Sequence, residues 1–340
     1  MKRNMKKIKS AKENISVSTL SSASPEEELL FTSLRASRWE DFYGQDHIKE
    51  SLRIAIDAAK KRKEAMDHTL LYGQPGLGKT TLSHLIAKEM GSNIRMTSGT
   101  ALSKVGDLAA ILTNLEPFDV LFIDEIHRLP KAIEETLYPA MEDYALDIVI
   151  GKGPSAHTIR LDLPKFTLVG ATTRLGLLTG PFRDRFGVVH RLDYYLPNRL
   201  AQIITKAAKK LGVPIDTDSA ESISKRSRGT PRIGLKLLKR IRDYAQVKGN
   251  GKITKEMVEK ALDLLKVDTM GLDDNDRRLL VMMIEKHSGG PVGISTLATS
   301  LNEDPGTIEE VIEPYLIQIG FMKRTPQGRV VTDAAKRHVK

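Results

Sequence analysis

An α/β fold with a mostly parallel sheet is predicted for the first half of the chain, and three observations predict it. Apolar strand-like runs at residues 69–72, 120–123 and 166–169 alternate with helical segments between Trp39 and Gly187, the rhythm of strands whose helices cover both sheet faces. From about 197 to 265 apolar residues recur at helical spacing alone, so the sheet ends there. Near the C-terminus two short strand-like runs flank the turn Thr325-Pro326-Gln327-Gly328, a small two-stranded wing behind helices. With 340 residues, 40% of them hydrophobic, the chain is long enough for two or three cores.

The elements follow in order. Residues 1–24 hold six lysines and arginines and one glutamate and end in a serine-rich tract, the composition of a disordered tail. Residues 48–63 read as a helix, 69–72 as a short buried strand, 80–90 as a helix, and 120–123 and 166–169 as further apolar strands. The stretch 147–162 breaks this rhythm, being β-like on both sides of Gly151-Lys152-Gly153-Pro154, and reads as a hairpin inserted before the third strand. Residues 198–211 and 232–248 are helical, and a helix over 254–265 opens with Thr254, three residues before Met257, as its cap. In the last section, about 268–340, the strand pair 321–323 and 329–332 forms the wing.

Composition narrows the functions. A net charge of +10 favours a polyanionic partner without establishing one. The absence of cysteine excludes disulfides, thiolate catalysis and cysteine zinc sites. No apolar stretch approaches the length of a membrane span, and the basic start runs into polar residues where a secretory signal would be apolar. A cytoplasmic location with no membrane partner is the expectation.

Gly73-Gln74-Pro75-Gly76-Leu77-Gly78-Lys79-Thr80 fits G-x-x-x-x-G-K-[ST] and lies between a strand and a helix, the context a phosphate loop needs. Glycines let successive N–H groups turn toward phosphate oxygens at the positive end of the helix. Lys79 is expected to reach the terminal phosphates of ATP, with Thr80 holding Mg²⁺ and Thr81 completing the nucleotide contacts. The apolar run 120–123 then delivers Asp124 and Glu125 at a strand end, where open α/β sheets bind ligands. Asp124 is the metal-side carboxylate and Glu125 the group that polarises water. Thr172 and Thr173 follow the third strand and are the two candidates for positioning that water. Arg183 and Arg185 lie just beyond it, and Arg232 opens a helix after Gly229-Thr230-Pro231; each is able to stabilise a transferring phosphoryl group or to serve in an ordinary ion pair.

Beyond the loop, the segments FIDEIHRL (122–129), DIVIGKGPSAHTIRLDL (147–163), LVGATTR (168–174), PFRDRFG (181–187), RSRGTPRIG (226–234), GLDDNDR (271–277), GGPVG (289–293) and RTPQGR (324–329) are present. Together they resemble the RuvB family of Holliday junction branch migration ATPases, of the AAA+ class, over roughly residues 34–340. The resemblance implies an AAA+ module, with a large ATPase domain over 25–196 and a helical lid over 197–267, then a winged helix over 268–340. It implies a homohexameric ring around duplex DNA, with RuvA holding the Holliday junction and RuvC joining in a resolvase complex. Thr173 matches the position that senses nucleotide from the third strand, with Thr172 the competing alignment. Arg185 matches an arginine finger reaching the neighbour's nucleotide, Arg183 being the nearby alternative, and Arg232 matches the lid's γ-phosphate sensor. Tyr195 resembles the aromatic that meets adenine.

The hairpin 147–162 resembles the family's docking element for RuvA, and Ile148 and Ile150 alternate onto one face of it. In the wing, Lys323, Arg324 and Arg329 flank a tight turn, an arrangement suited to phosphate contacts that carry no sequence information. Three departures stand out: Arg35-Ala36 replaces the usual Arg-Pro before the first helix, Gln327 replaces an arginine in the wing, and the tail before about residue 25 has no clear family counterpart. A clamp-loader-like ATPase and a nucleotide-dependent DNA-binding regulator are the competing readings; the wing and the inserted hairpin favour the motor.

Overall fold

The computed structural model describes residues 25–150 and 157–339. Helix α1 (Pro25–Leu34) belongs with residues 200–340 in one compact unit, and residues 35–199 form the other.

In the unit 35–199 the elements are α2 (Asp46–Arg62), β1 (Thr69–Tyr72), α3 (Lys79–Met90), β2 (Ile94–Ser98), α4 (Val105–Leu112), β3 (Val120–Asp124), α5 (Lys131–Glu142), β4 (Ala145–Ile150), β5 (His157–Asp162), β6 (Thr167–Thr172), α6 (Gly180–Asp184) and β7 (Val188–Arg191). Five strands make a parallel sheet in the order β2-β3-β6-β1-β7. The three central strands, TLLY, VLFID and TLVGAT, are buried almost throughout, because a parallel sheet covered on both faces needs apolar side chains on both. The edge strands β2 and β7 are partly exposed; without a continuous apolar run they escape sequence reading. Since β6 lies between β1 and β3, the C-terminal ends of these three strands are neighbours, with Tyr72 beside Thr172 and Ile123 beside Gly170.

Helix α2 buries Ile48, Leu52, Ile56 and Ala59, one stripe at helical spacing. Buried His68 ties three elements together. Its Nδ1 accepts from the Leu168 N–H at 2.9 Å, which leaves Nε2 to donate to the Met141 carbonyl at 3.0 Å. Burial lowers its pKa against the opposing pull of Met141 and Asp67.

Strands β4 and β5 form their own antiparallel pair, in register from Ala145↔Asp162 to Ile150↔His157. An ion pair of 2.8 Å between Arg160 and Asp143 braces its base. The turn expected at 151–154 lies outside the described residues.

The second unit holds two cores. The first gathers residues of α7 (Pro197–Lys210), α8 (Thr217–Lys225), α9 (Pro231–Lys248) and α10 (Lys255–Leu264) around Ile204, Ile223, Leu238 and Ile241. Leu34 packs against this core, and Lys210 donates to the Ser33 and Leu34 carbonyls, so α1 sits with the lid helices although the sequence boundary at residue 25 grouped it with the ATPase part. Thr254 caps α10 as expected, accepting from the Met257 N–H at 3.4 Å.

The second core, around Leu279, Met283, Leu297 and Leu316, is built from α11 (Asp274–His287), α12 (Ile294–Leu301), α13 (Pro305–Thr307), a π-helical turn Ile308–Ile312 leading into α14 (Glu313–Gln318), the hairpin β8 (Met322–Thr325) and β9 (Gly328–Val331), and α15 (Asp333–Val339). Helix α11 opens with a reciprocal capping box. Asp273 accepts from the Asn275 and Asp276 N–H groups at 2.8 and 3.1 Å, and Asp276 accepts from the Asp273 N–H at 2.8 Å.

Candidate nucleotide site and nucleic-acid interface

The loop between β1 and α3 carries the phosphate-loop residues. Gly78 has a φ of +105°, and a Cβ there would stand 3.1 Å from the Phe42 ring, so curvature and close packing both select glycine. Gly73 and Gly76 also have positive φ. Pro75 is exposed at the bend, while Leu77 is buried beneath it and Thr80 and Thr81 enter α3 half-exposed. Lys79 is buried, and its Nζ donates to the Gly73 carbonyl at 2.8 Å and the Gln74 carbonyl at 3.1 Å. Burial lowers its pKa while Glu125 and Asp124 raise it. A desolvated cation inside a glycine loop at a helix N-terminus is chemistry for a triphosphate.

Tyr195 backs the loop from below. It is buried, donates its hydroxyl to the Leu77 carbonyl at 3.0 Å, and lies so near Gly44 that a Cβ there would stand 2.8 Å from the ring. Burial raises the phenol's pKa well above the ordinary value.

Asp124 ends β3 and accepts the Glu125 N–H at 2.9 Å. Glu125 has left-handed backbone, φ +44° and ψ +48°, and starts the 3₁₀ turn Ile126–Arg128. Its Oε2 accepts from Thr173 Oγ1 at 3.0 Å. Thr172 is fully buried, and its hydroxyl meets His127 Nδ1 at 2.9 Å. The two threonines have different partners: Thr173 touches Glu125 directly, and Thr172 touches His127. Thr172 ends β6 and Thr173 begins the bend beyond it, a boundary that spacing alone could not place.

Arg185, at the end of α6, lies 4.1 Å over the Tyr138 ring, donates to the Pro181 carbonyl at 2.6 Å and pairs with Glu142 at 3.1 Å. Tyr138 and Thr179 in turn both donate to buried Glu134. Arg183 is exposed. Sequence reasoning missed Tyr138, Glu142 and Glu134 because nothing along the chain relates α5 to the loop before α6. Arg232 lies in the other unit, half-buried in the first turn of α9 behind Pro231.

In the wing, Arg324 and Arg329 face each other across the strands, a like-charge pairing that is unfavourable alone. Fully buried Glu313 resolves it, taking Arg324 through two bonds of 2.6 and 2.9 Å and Arg329 at 3.2 Å, with Glu309 3.5 Å from both. Burial raises the Glu313 pKa, but the two guanidinium groups outweigh it and hold it below the ordinary value. Arg329 is thus largely committed to fastening the wing, its side chain 15% exposed against 50% for Arg324. Lys323 is exposed and makes no ion pair among the described residues. Gln327 is exposed at the hairpin tip.

On the inserted hairpin, Ile148 is half-buried against the core of its own unit and pairs with Ile159, while Leu146 pairs with Leu161. Ile159 and Leu161 are 38% and 37% exposed, so β5 carries exposed apolar surface that the sequence reading did not single out. The side chain of Ile150 lies outside the described residues.

A phosphate loop, a strand-end acidic pair and a threonine, set on three adjacent strands of a parallel sheet and followed by a helical lid and a winged helix, define a P-loop ATPase of the AAA+ class. Family models agree along the chain: the Holliday junction DNA helicase RuvB P-loop domain matches residues 34–192, the RuvB AAA lid domain 195–268, and the RuvB C-terminal winged helix domain 269–340. The solved Holliday junction branch migration motor RuvB of Thermotoga maritima is 50% identical, covering 90% of this chain and 98% of that one, with a TM-score of 0.82. A mutant of the same protein gives 0.83 at equal identity and coverage. The chain belongs to the RuvB family.

Proposed function

We propose that this chain is an ATP-driven motor that moves Holliday junctions, working as a homohexameric ring on duplex DNA with RuvA at the crossover and RuvC in a resolvase complex. One observation carries the reading: Lys79, Asp124–Glu125 and Thr173 converge at adjacent strand ends in a chain whose remaining parts match the RuvB lid and winged helix. Thr80 and Asp124 would hold Mg²⁺, with phosphate oxygens supplying further ligands, as is usual for this ion. The ion would neutralise charge on the transferring phosphoryl group.

The protein's own residues do the rest. Lys79 places its charge against the terminal phosphates, and Glu125, anchored by Thr173, takes a proton from the attacking water. Arg185 supplies positive charge to the neighbouring subunit's nucleotide after leaving Glu142, and Arg232 reports the γ-phosphate to the lid. Tyr195 supports the adenine end of the site. Lys323 and Arg324 meet DNA phosphates, and β5 of the hairpin presents Ile159 and Leu161 to RuvA beside Ile148. No helix among the described residues is long and apolar enough to cross a membrane, and a cytoplasmic site of action fits DNA processing.

The test is strand exchange on a synthetic four-way junction, with ATP, with and without RuvA. The motor reading requires exchange that needs ATP and is stimulated by RuvA. ATP turnover with no exchange under either condition would make the chain a nucleotide-dependent DNA-binding regulator.

A further inference from the structure

His127 stands two residues beyond Glu125 in the turn that follows β3, with its side chain 5% exposed. Its Nδ1 lies 3.2 Å from Glu125 Oε2 and 2.9 Å from Thr172 Oγ1, and that hydroxyl oxygen also accepts the Arg174 N–H at 3.0 Å. A carboxylate is an acceptor only. A lone pair on Nδ1 would stand beside the negative Oε2, whereas an Nδ1–H donates to Thr172 Oγ1 and keeps its positive end near that carboxylate. The surroundings therefore select the tautomer that carries its proton on Nδ1.

The backbone at this point is equally constrained. Glu125 adopts a left-handed conformation, which costs a non-glycine residue roughly 1–2 kcal/mol. Three contacts hold it there: the Asp124 carboxylate on its N–H, the Arg128 N–H on its carbonyl at 2.9 Å, and the close approach of Gly99, where a Cβ would stand 2.4 Å from the Glu125 carbonyl oxygen. The side chain is then fixed at one atom. Both Thr173 and His127 fall on Oε2, and neither touches Oε1.

We infer that His127 is a positioning residue for hydrolysis: its ring, held by Thr172 with the Nδ1 edge against Glu125 Oε2, keeps that oxygen in place so that Oε1 takes the proton of the attacking water. The inference rests on the reading of Glu125 as the base. Thr173, just past β6, hydrogen-bonds one oxygen, and His127, in the turn after β3, abuts the same oxygen, which restrains the carboxylate from two sides. Orientation of a base is worth much of its rate advantage. His127 itself touches no reacting atom.

Three variants of the full chain test it: His127→Asn, His127→Gln and His127→Ala. Asparagine places an amide N–H where Nδ1 stands, whereas glutamine places its amide near Nε2 and alanine offers no donor. For junction-stimulated ATP hydrolysis, His127→Asn keeps kcat within about threefold, while the other two lose about ten- to a hundredfold, the cost of a misplaced base. KM and the affinity for a fluorescent ATP analogue stay near wild type, which general loss of structure would not allow. Should His127→Ala be insoluble, the asparagine and glutamine variants decide alone.

Equal losses in those two variants, or a His127→Ala protein within about twofold of wild type, would overturn the inference. Glu125→Gln separates this from failure of the underlying reading. If Glu125→Gln turns over normally, Glu125 is not the base and the site assignment falls. If it is inactive while His127→Ala is unimpaired, only the positioning role falls.

Discussion

Arg228→Ala is the perturbation whose consequence the structure defines most closely. This residue has left-handed backbone, φ +50°, four positions before Arg232. Its Nε donates to the Gly271 carbonyl at 2.8 Å, and one terminal nitrogen reaches Asp273 at 3.0 Å and Asp276 at 2.6 Å. The guanidinium also lies 5.1 Å over the Tyr315 ring. It thereby clamps the loop that starts α9 to the capping box of α11. Removing it leaves Asp273 and Asp276 buried without their cation, a change that costs about 3–5 kcal/mol. For a unit of this size that is roughly 6–20 °C in Tm.

The loss has a pH signature. Burial pushes the Asp276 carboxyl up to about 7, against the pull of Arg228, from an ordinary 3.8. Between those values the folded chain holds a proton that the unfolded chain releases, so this carboxyl's contribution to stability falls as pH rises through the window. Without Arg228 the folded pKa climbs further, and the gap between variant and wild type widens from pH 6 to pH 8. Calorimetry across that range, with hydrogen exchange at residues 268–276, reads it directly. Arg228→Lys keeps the charge without the fork and falls between. An Arg228→Ala protein within about 2 °C of wild type at pH 8 would show that Arg228 does not hold these carboxylates together.

Arg185→Ala should leave nucleotide affinity near wild type and reduce turnover by about 10³–10⁵, measured by analogue binding beside steady-state hydrolysis. Gln327→Arg should tighten duplex binding and steepen its dependence on log salt by about 0.9 for one added phosphate contact, read from titrations over a range of KCl concentrations. His68, whose pKa burial lowers, contributes stability that is complete above the unfolded value of 6.5 and is lost as pH falls below it. His68→Leu should therefore melt below wild type at pH 7.5, with the gap narrowing toward pH 5 in thermal scans.

Legibility in the sequence followed physical locality. The phosphate loop is contiguous, so its glycines, Lys79 and the flanking strand and helix could be placed from pattern alone. The central strands β1, β3 and β6 announced themselves because burial on both faces demands unbroken apolar runs, whereas β2 and β7 at the edges do not. Side-chain partnerships between distant segments were hidden. The motifs at 226–234 and 271–277 were visible as two separate strings, and only folding shows Arg228 of one seated between Asp273 and Asp276 of the other. Basic residues in the wing suggested phosphate contact, but Glu313, sixteen positions before Arg329, redirects much of that charge inward. Likewise the threonine ambiguity at 172–173 depended on which partner each hydroxyl meets after folding, and His127 carried no signal beyond its place in FIDEIHRL.

Coupling of hydrolysis at Glu125 to junction movement is read by real-time strand exchange on a movable four-way junction, by wild type and by Glu125→Gln, with bound nucleotide and bound junction quantified in the same samples. Wild type should exchange strands at a rate that tracks its ATP turnover, while Glu125→Gln should bind both ligands and move nothing. Exchange by Glu125→Gln at the wild-type rate would contradict that coupling.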